Sequence, residues 1–179
     1  RGRPNPGGDY HTAFFNDDFD FSPDGRQFVV GLPGGGVSLH RLPEGTELAR
    51  NPAGGEFHRV RFSPDGRWIA ASIAANAESR AVWVFAAPSL KLERKFTPGS
   101  EPNAIAWSAD GDTLAVALAD NTVELHAVSS GRLLNRFHAP VRSPSELWFV
   151  AQSRLLALRG GPSTLFFVSP VHGREELVL

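Results

Sequence analysis

The sequence predicts an all-β repeat protein built from four copies of one four-stranded unit. Three observations carry this. The motif Phe21-Ser22-Pro23-Asp24-Gly25-Arg26 returns as Phe62-Ser63-Pro64-Asp65-Gly66-Arg67, as Trp107-Ser108-Ala109-Asp110-Gly111-Asp112 and, worn, as Phe149-Val150-Ala151-Gln152-Ser153-Arg154. The anchors at 21, 62, 107 and 149 are 41, 45 and 42 residues apart, a near-constant period that marks a repeat architecture. Between the anchors run short β-branched, alternating segments bounded by Gly, Asp, Asn and Ser, and no segment has the length and 3.6-residue period of a helix.

Within each copy the first strand ends at the anchor, as in Ala104–Trp107, and leads into the Asp-Gly turn, where Gly takes positive φ at no steric cost. Second strands are expected at Gln27–Gly31, Trp68–Ile73, Thr113–Leu118 and Leu155–Leu158, and third strands at Val37–His40, Ala81–Phe85, Thr122–His126 and Thr164–Val168. Fourth strands are expected at Thr46–Arg50, Leu90–Phe96, Leu133–His138 and Arg174–Leu179. Between strands two and three, copies one and three align without gaps. Copy two has three extra residues in its Ala74–Arg80 loop and copy four has one. Gly34-Gly35-Gly36 falls where copy three has Asp120-Asn121-Thr122, and reads as a tight turn. No Lys-Ser/Thr follows it and no helix can begin there, so it lacks the mechanics of a phosphate loop.

A four-stranded repeat of this length is the signature of a β-propeller blade. The expected architecture is therefore four blades of four antiparallel strands, at about 15–53, 54–99, 100–140 and 141–179, after an N-terminal extension or linker at 1–14. A seven-blade ring at this repeat length needs roughly 290 residues, and propellers typically have four to eight blades. The 179 residues thus suggest an incomplete ring, half or a fragment of a 7- or 8-blade propeller, finished by a missing segment, a second copy or a partner. Open flanks would expose apolar faces.

Copy three, from Leu114-Ala115-Val116-Ala117-Leu118-Ala119-Asp120-Asn121 to Thr122-Val123-Glu124-Leu125-His126-Ala127, resembles the WD-repeat family in register. The resemblance covers residues 15–179. The Phe-Ser-Pro-Asp-Gly turn is also similar to that of TolB-like propellers and of the propeller domains of prolyl-oligopeptidase-like enzymes. The Trp-Asp pair of the WD family is replaced by His40-Arg41, Phe85-Ala86, His126-Ala127 and Val168-Ser169, and of the family's structural network only Asp120 survives, with Val116 at the Ser position. The resemblance therefore implies degenerate blades held by apolar packing.

Composition narrows the function. The absence of cysteine excludes disulfides, Cys-ligated metals and a thiol nucleophile. The net charge of −1, with no basic block, gives no footprint for nucleic acid. No run of 18 apolar residues suggests a membrane span. His40 and His126 occupy equivalent places on different blades, too far apart for one metal, and are expected to pack where Trp usually stands with a hydrogen bond at the tip. Asp17, Asp18 and Asp20 lack the spacing of a calcium loop and read as an acidic rim, with Asp18 and Asp20 on one strand face. No Gly-x-Ser-x-Gly elbow or His-Glu-x-x-His is present. Trp107 reads as core. Trp83, opposite in face to Val82 and Val84, reads as surface or interface. Arg59 and Arg61 form a basic spot countered by Glu56 and Asp65.

The function expected is a non-catalytic protein-interaction scaffold of bacterial type, part of a larger chain or assembly, without cofactor or metal. In WD-repeat proteins partners dock on the face carrying the loops before strand one and between strands two and three. The residues here that match that face are Asp17, His58, Asn103 and Ser145, four before each anchor, with Asp120 and Arg80 in the loops. The partner would be a protein or peptide, or a second copy completing a ring. Two alternatives stand beside this reading. One is the propeller domain of a hydrolase or kinase whose catalytic domain lies elsewhere. The other is a structural element that completes a ring by dimerisation.

Overall fold

The computed structural model describes residues 18–32, 35–52, 55, 57–73, 80–150, 155–160 and 164–179. Its sixteen strands form four sheets, each of four consecutive antiparallel strands in sequential order. Blade 1 holds β1 (Phe19–Phe21), β2 (Gln27–Gly31), β3 (Val37–Arg41) and β4 (Glu47–Asn51). Blade 2 holds β5 (Phe57–Phe62), β6 (Trp68–Ile73), β7 (Ala81–Ala86) and β8 (Lys91–Phe96). Blade 3 holds β9 (Pro102–Trp107), β10 (Thr113–Leu118), β11 (Thr122–Ala127) and β12 (Leu133–His138). Blade 4 holds β13 (Glu146–Val150), β14 (Leu155–Arg159), β15 (Leu165–Val168) and β16 (Glu175–Val178). Each expected second, third and fourth strand is present within one or two residues at its ends. The expected extension at 1–14, Asp17, Gly34 and the worn turn at 151–154 lie outside the described residues.

The recurring motif builds the same turn three times. In blade 1 the Ser22 hydroxyl donates to Asp24 Oδ1 (2.6 Å) and accepts from the Gln27 N–H (2.9 Å), while the Arg26 N–H donates to the same carboxylate oxygen (3.0 Å). Ser63, Asp65, Arg67 and Trp68 repeat this in blade 2, and Ser108, Asp110, Asp112 and Thr113 in blade 3. Gly25, Gly66 and Gly111 all have φ near +70° (68°, 71° and 72°). Serine supplies both a donor and an acceptor, aspartate is fixed by two donors, and only glycine reaches this φ cheaply.

The register corrects the loop lengths read from the sequence. Val30 faces Ser38, Val116 faces Glu124 and Leu158 faces Phe166, whereas Ala71 faces Trp83. Copy two therefore carries four additional residues between paired positions and copy four none. The difference arises because pairing, not composition, decides where a strand begins.

Alternation along each strand gives every blade a trailing face, toward the blade before it, and a leading face, toward the blade after it. The hydrophobic core is correspondingly three interfaces. Val29, Val37 and Leu39 on the leading face of blade 1 pack on Val60, Phe62, Ile69, Ala71 and Phe85 of blade 2. Ala70, Val82, Val84 and Phe96 pack on Ile105, Trp107, Leu114, Val116 and Leu118. Ala104, Ala115, Ala117, Val123 and Leu125 pack on Leu147, Leu156, Leu158 and Val168. Trp107 is core, as expected, and its Nε1 also donates to the Arg61 carbonyl (3.0 Å). Trp83 resolves as an interface residue: half-buried, edge-on to Phe57 and packed on the core of blades 1 and 2, with Lys95 over its ring.

At each interface a polar clamp also runs from the outermost strand to the β3–β4-type turn of the next blade. Asn51 donates to Leu90 O (2.8 Å), Arg94 to Ser129 O (2.9 Å), and Asn135 to Pro170 O (2.8 Å) and Val171 O (3.0 Å). Among the described residues no core joins blade 4 to blade 1, so the four blades form an open arc.

Candidate functional site: a groove along the inner strands

The inner strands β1, β5, β9 and β13 lie side by side along the concave wall of the arc. Between β5, β9 and β13 runs a groove of about 500 Å³. Arg59 and Arg61 line it from β5, Ala104 to Trp107 from β9, Glu146 to Phe149 from β13, and Ser145 from just before β13. Its size falls within the range of ligand-binding clefts. Trp148 is 45% exposed, an unusual state for the largest aromatic side chain.

The charges of the groove are ordered by the neighbouring blades. Asp18 Oδ2 receives Arg61 Nη1 (2.6 Å) and the Val60 N–H (3.1 Å), and Asp20 Oδ2 receives the Phe62 N–H (2.8 Å). The two carboxylates expected on one face thus act as blade connectors, satisfying donors on the free edge of β5. Asp18 is a counter-charge of Arg61, Asp65 binds Arg67, and Glu56 lies outside the described residues. Burial pushes the Asp20 carboxyl above its usual range, outweighing the Phe62 N–H that favours the anion. At the other wall Glu146 and Arg159, opposite each other in β13 and β14, form an ion pair.

Of the expected binding residues, Ser145 lines this groove, Asp17 lies outside the described residues, and His58 and Asn103 sit on β5 and β9 just before the residues that line it. His58 and Asn103 are the extra residues of two β-bulges, where β5 and β9 shift register against β6 and β10. Bulges re-aim side chains and recur beside functional sites. The His58 side chain lies outside the described residues. Asn103 Nδ2 reaches Ser143 Oγ of the neighbouring blade at 3.5 Å. Ser145 is exposed and lines the groove itself. Asp120 and Arg80 are further out. Asp120 caps its own turn through the Thr122 N–H (3.0 Å), and Arg80 Nε donates to Pro98 O (2.9 Å). Asn121 beside Asp120 has φ +67°, matching Gly35 at φ +108° in blade 1, the expected tight turn.

Beside the apolar packing, blades 1 and 3 carry polar contacts of their own at the positions of the replaced Trp. His40 stacks on Phe28 (centroids 4.8 Å) with Nε2 at 2.9 Å from Ser38 Oγ and Nδ1 at 3.1 Å from Gly45 O. His126 stacks on Phe96 of blade 2 (4.8 Å), and its Nε2 lies 2.9 Å from Glu124 Oε2. Glu124, 1% exposed, also receives Arg136 and the Gly99 N–H (3.1 Å) of the loop between blades 2 and 3. Burial alone would raise the Glu124 carboxyl, but His126, Arg136 and Gly99 together hold its pKa down to about 2. Both histidines thus pack with a hydrogen bond at the tip, as expected. Glu124 was missed because a Glu in an alternating strand reads as solvent-facing. The signal available was its position two residues before a His that replaces Trp.

Among the described residues no group of three or more His, Asp or Glu could hold a metal ion, and no helix is long and apolar enough to cross a membrane.

Comparisons with known proteins agree with this architecture. A family model, the anaphase-promoting complex subunit 4 WD40 domain, matches residues 73–152. Cross-pathway control WD-repeat protein 2 of Flammulina velutipes is 32% identical over 130 residues, 67% of this chain and 39% of that protein. MST50-interacting protein 11 of Pyricularia oryzae is 30% identical over 125 residues, 67% and 39%. Small ribosomal subunit protein RACK1 of Caenorhabditis elegans is 30% identical over 128 residues, 66% and 38%. In each case the match spans 39% or less of the relative's own length. Among solved structures, Kuenenia stuttgartiensis hydrazine synthase superposes with a TM-score of 0.77 at 17% identity, covering 98% of this chain and 52% of that one, a likeness of fold. With four blades of matched register, three copies of one Ser-x-Asp-Gly turn and WD-repeat relatives over two thirds of its length, the chain is a run of WD-repeat-like β-propeller blades.

Proposed function

We propose that the chain is a non-catalytic interaction scaffold that docks an extended protein segment in the groove between β5, β9 and β13. The observation that carries this reading is the make-up of that groove. Arg59 and Arg61, the latter held by Asp18, stand on one wall and the half-exposed Trp148 on the other, over a floor of apolar strand, so an extended segment with an apolar side chain finds a partner in Trp148. Ser145 in the groove, with His58, Asn103, Asp17, Asp120 and Arg80, would contact the segment's flanks. One relative, MST50-interacting protein 11, is named for an interaction with another protein, which supports the reading. Rigid strands would hold the site, so binding requires little reorganisation.

A displayed random-peptide library panned on the chain tests this. Peptides carrying an aromatic or aliphatic residue should be enriched, and their binding should be lost in Ser145→Glu with the thermal midpoint unchanged. No enrichment, or peptides that bind Ser145→Glu equally well, would overturn the proposal.

A further inference from the structure

The inner edge of each blade carries backbone donors that no neighbouring strand receives. Ser63 and Ser108 donate to Trp68 O and Thr113 O across their turns, so the residues one and three positions before each serine turn their N–H groups away from the second strand. In β5 these are Phe62 and Val60, and in β9 Trp107 and Ile105. In β13 they are Phe149 and Leu147, because Phe149 faces Leu156 as Trp107 faces Leu114 and Phe62 faces Ile69. The junction of blades 1 and 2 shows what such an edge takes. Asp18 Oδ2 receives the Val60 N–H at 3.1 Å and Asp20 Oδ2 the Phe62 N–H at 2.8 Å. Two acids two residues apart on an extended strand thus match the two-residue step of the donors.

The later junctions lack those acids. The places of Asp18 and Asp20, three and one before the anchor, hold Arg59 and Arg61 in β5, and Ala104 and Ala106 in β9. Neither arginine nor alanine offers a side-chain acceptor. Among the described residues β13 pairs with β14 alone, and no side chain accepts from the Leu147 or Phe149 N–H. Ala104 and Ala106 are also short, and they line the groove together with Leu147 and Phe149. The room that two carboxylates fill between β1 and β5 is here part of an open cleft. Glu146, the carboxylate among its lining residues, is paired with Arg159.

We infer that the groove takes an acidic extended segment whose two carboxylates, two residues apart, accept the Leu147 and Phe149 N–H groups. They would do between blades 3 and 4 what Asp18 and Asp20 do between blades 1 and 2. This rests on the groove being a docking site for an extended segment, and it names the chemistry that the segment carries. The donors are backbone groups fixed by the ladder to β14, so no side chain has to be ordered to receive the ligand. A carboxylate on a backbone N–H makes a charge-assisted hydrogen bond, stronger than a neutral one. Arg61 is held by Asp18, so the anion is received by the strand edge and not by that guanidinium. The strands β9 and β13 belong to adjacent blades of the arc, so the slot needs no further chain to form it.

The probe is a synthetic peptide carrying the Asp18-Phe19-Asp20-Phe21 sequence between Gly-Ser flanks, with a second peptide in which Asn replaces both Asp. Titrated into isotope-labelled chain, the acidic peptide should move the amide protons of Leu147 and Phe149 downfield. The Asn peptide should bind about tenfold more weakly. Ala104→Asp gives β9 its own counterpart of Asp18, so it should weaken the acidic peptide by about the same factor, with the thermal midpoint kept or raised. The two peptides are compared on the unaltered chain, so that comparison decides even where Ala104→Asp fails to fold. Equal affinity of the two peptides, or shifts at Val60 and Phe62 in place of Leu147 and Phe149, would overturn the inference and leave the docking site standing. Binding of neither peptide would overturn it too, and the peptide library with Ser145→Glu then decides separately whether the groove docks a segment of other chemistry.

Discussion

The carboxylate of Asp18, on the innermost edge of blade 1, accepts the guanidinium of Arg61 at 2.6 Å and the backbone N–H of Val60 at 3.1 Å in blade 2. One short side chain therefore does at the blade junction what a strand neighbour does inside a sheet. It also fixes an arginine at the groove wall. The edge of β5 is covered without extending the sheet, which leaves the inner strands free to line a concave surface.

Removing Asp18 should cost more than removing a surface ion pair. Asp18→Ala leaves the Val60 N–H and Arg61 without this partner in a half-buried junction, a loss of about 1–3 kcal/mol. Asp20 two residues on behaves oppositely. Its carboxyl is raised above 3.8 in the folded chain, chiefly by burial, so the native state binds the proton more tightly than the unfolded state. That contribution is present below pH 3.8 and lost as pH rises through the folded value, so ionised Asp20 destabilises the fold at pH 7. Asp20→Asn keeps an oxygen for the Phe62 N–H and removes the charge. Urea unfolding at pH 7 should show Asp18→Ala less stable than wild type and Asp20→Asn equal or more stable. A loss in Asp20→Asn matching that of Asp18→Ala would refute the distinction.

Glu124 should give the chain a specific acid weakness. Its pKa lies at about 2 in the fold against 4.5 as a reference, because His126, Arg136 and Gly99 offset its desolvation. A depressed carboxyl contributes stability that is fully present above pH 4.5 and lost as pH falls toward 2. Glu124→Gln retains the shape but leaves Arg136 without its charge partner, and half of Arg136 is solvent-exposed, so a cost of about 2 kcal/mol at pH 7 is expected. Stability measured from pH 7 to 2.5 should fall more steeply in wild type than in Glu124→Gln below pH 4.5. Parallel curves would show that the carboxylate plays no such part.

Particular residues show why the fold was more legible than the site. Ser22, Asp24 and Gly25 each have one physical duty in the turn, and that duty recurs at Ser63 and Ser108, so repetition alone exposes it. Gly36 is likewise readable as a turn residue, and the structure adds a reason beyond φ: a Cβ there would lie 2.4 Å from the Asn51 carbonyl oxygen. The pairing of Asp18 and Asp20 with β5 depends on contacts 42 or 43 residues away, which strand alternation can point toward but cannot name. The β-bulges at His58 and Asn103 leave no mark in composition, because an extra residue in one strand is defined only by its partner. The groove depends on three inner strands from three repeats, so no local motif announces it.

The clamps on the outer rim set how tightly each blade is held, and Asn135 is the one that holds blade 4. Its side-chain amide spans to two carbonyls, Pro170 O and Val171 O, in the turn between β15 and β16. That turn and β16 are largely exposed, and the buried residues of blade 4 sit in β13, β14 and β15. With little core beneath it, β16 depends on its ladder to β15 and on this clamp. Asn135→Ala should therefore lower global stability by about 1 kcal/mol or less, since the freed carbonyls reach water, yet raise local opening of β16. Native-state hydrogen exchange should show faster exchange at Leu177 and Val178 with little change at Leu114 to Leu118 in β10. Equal acceleration in β10 and β16 would mean that the clamp acts on the whole arc and not on its last blade.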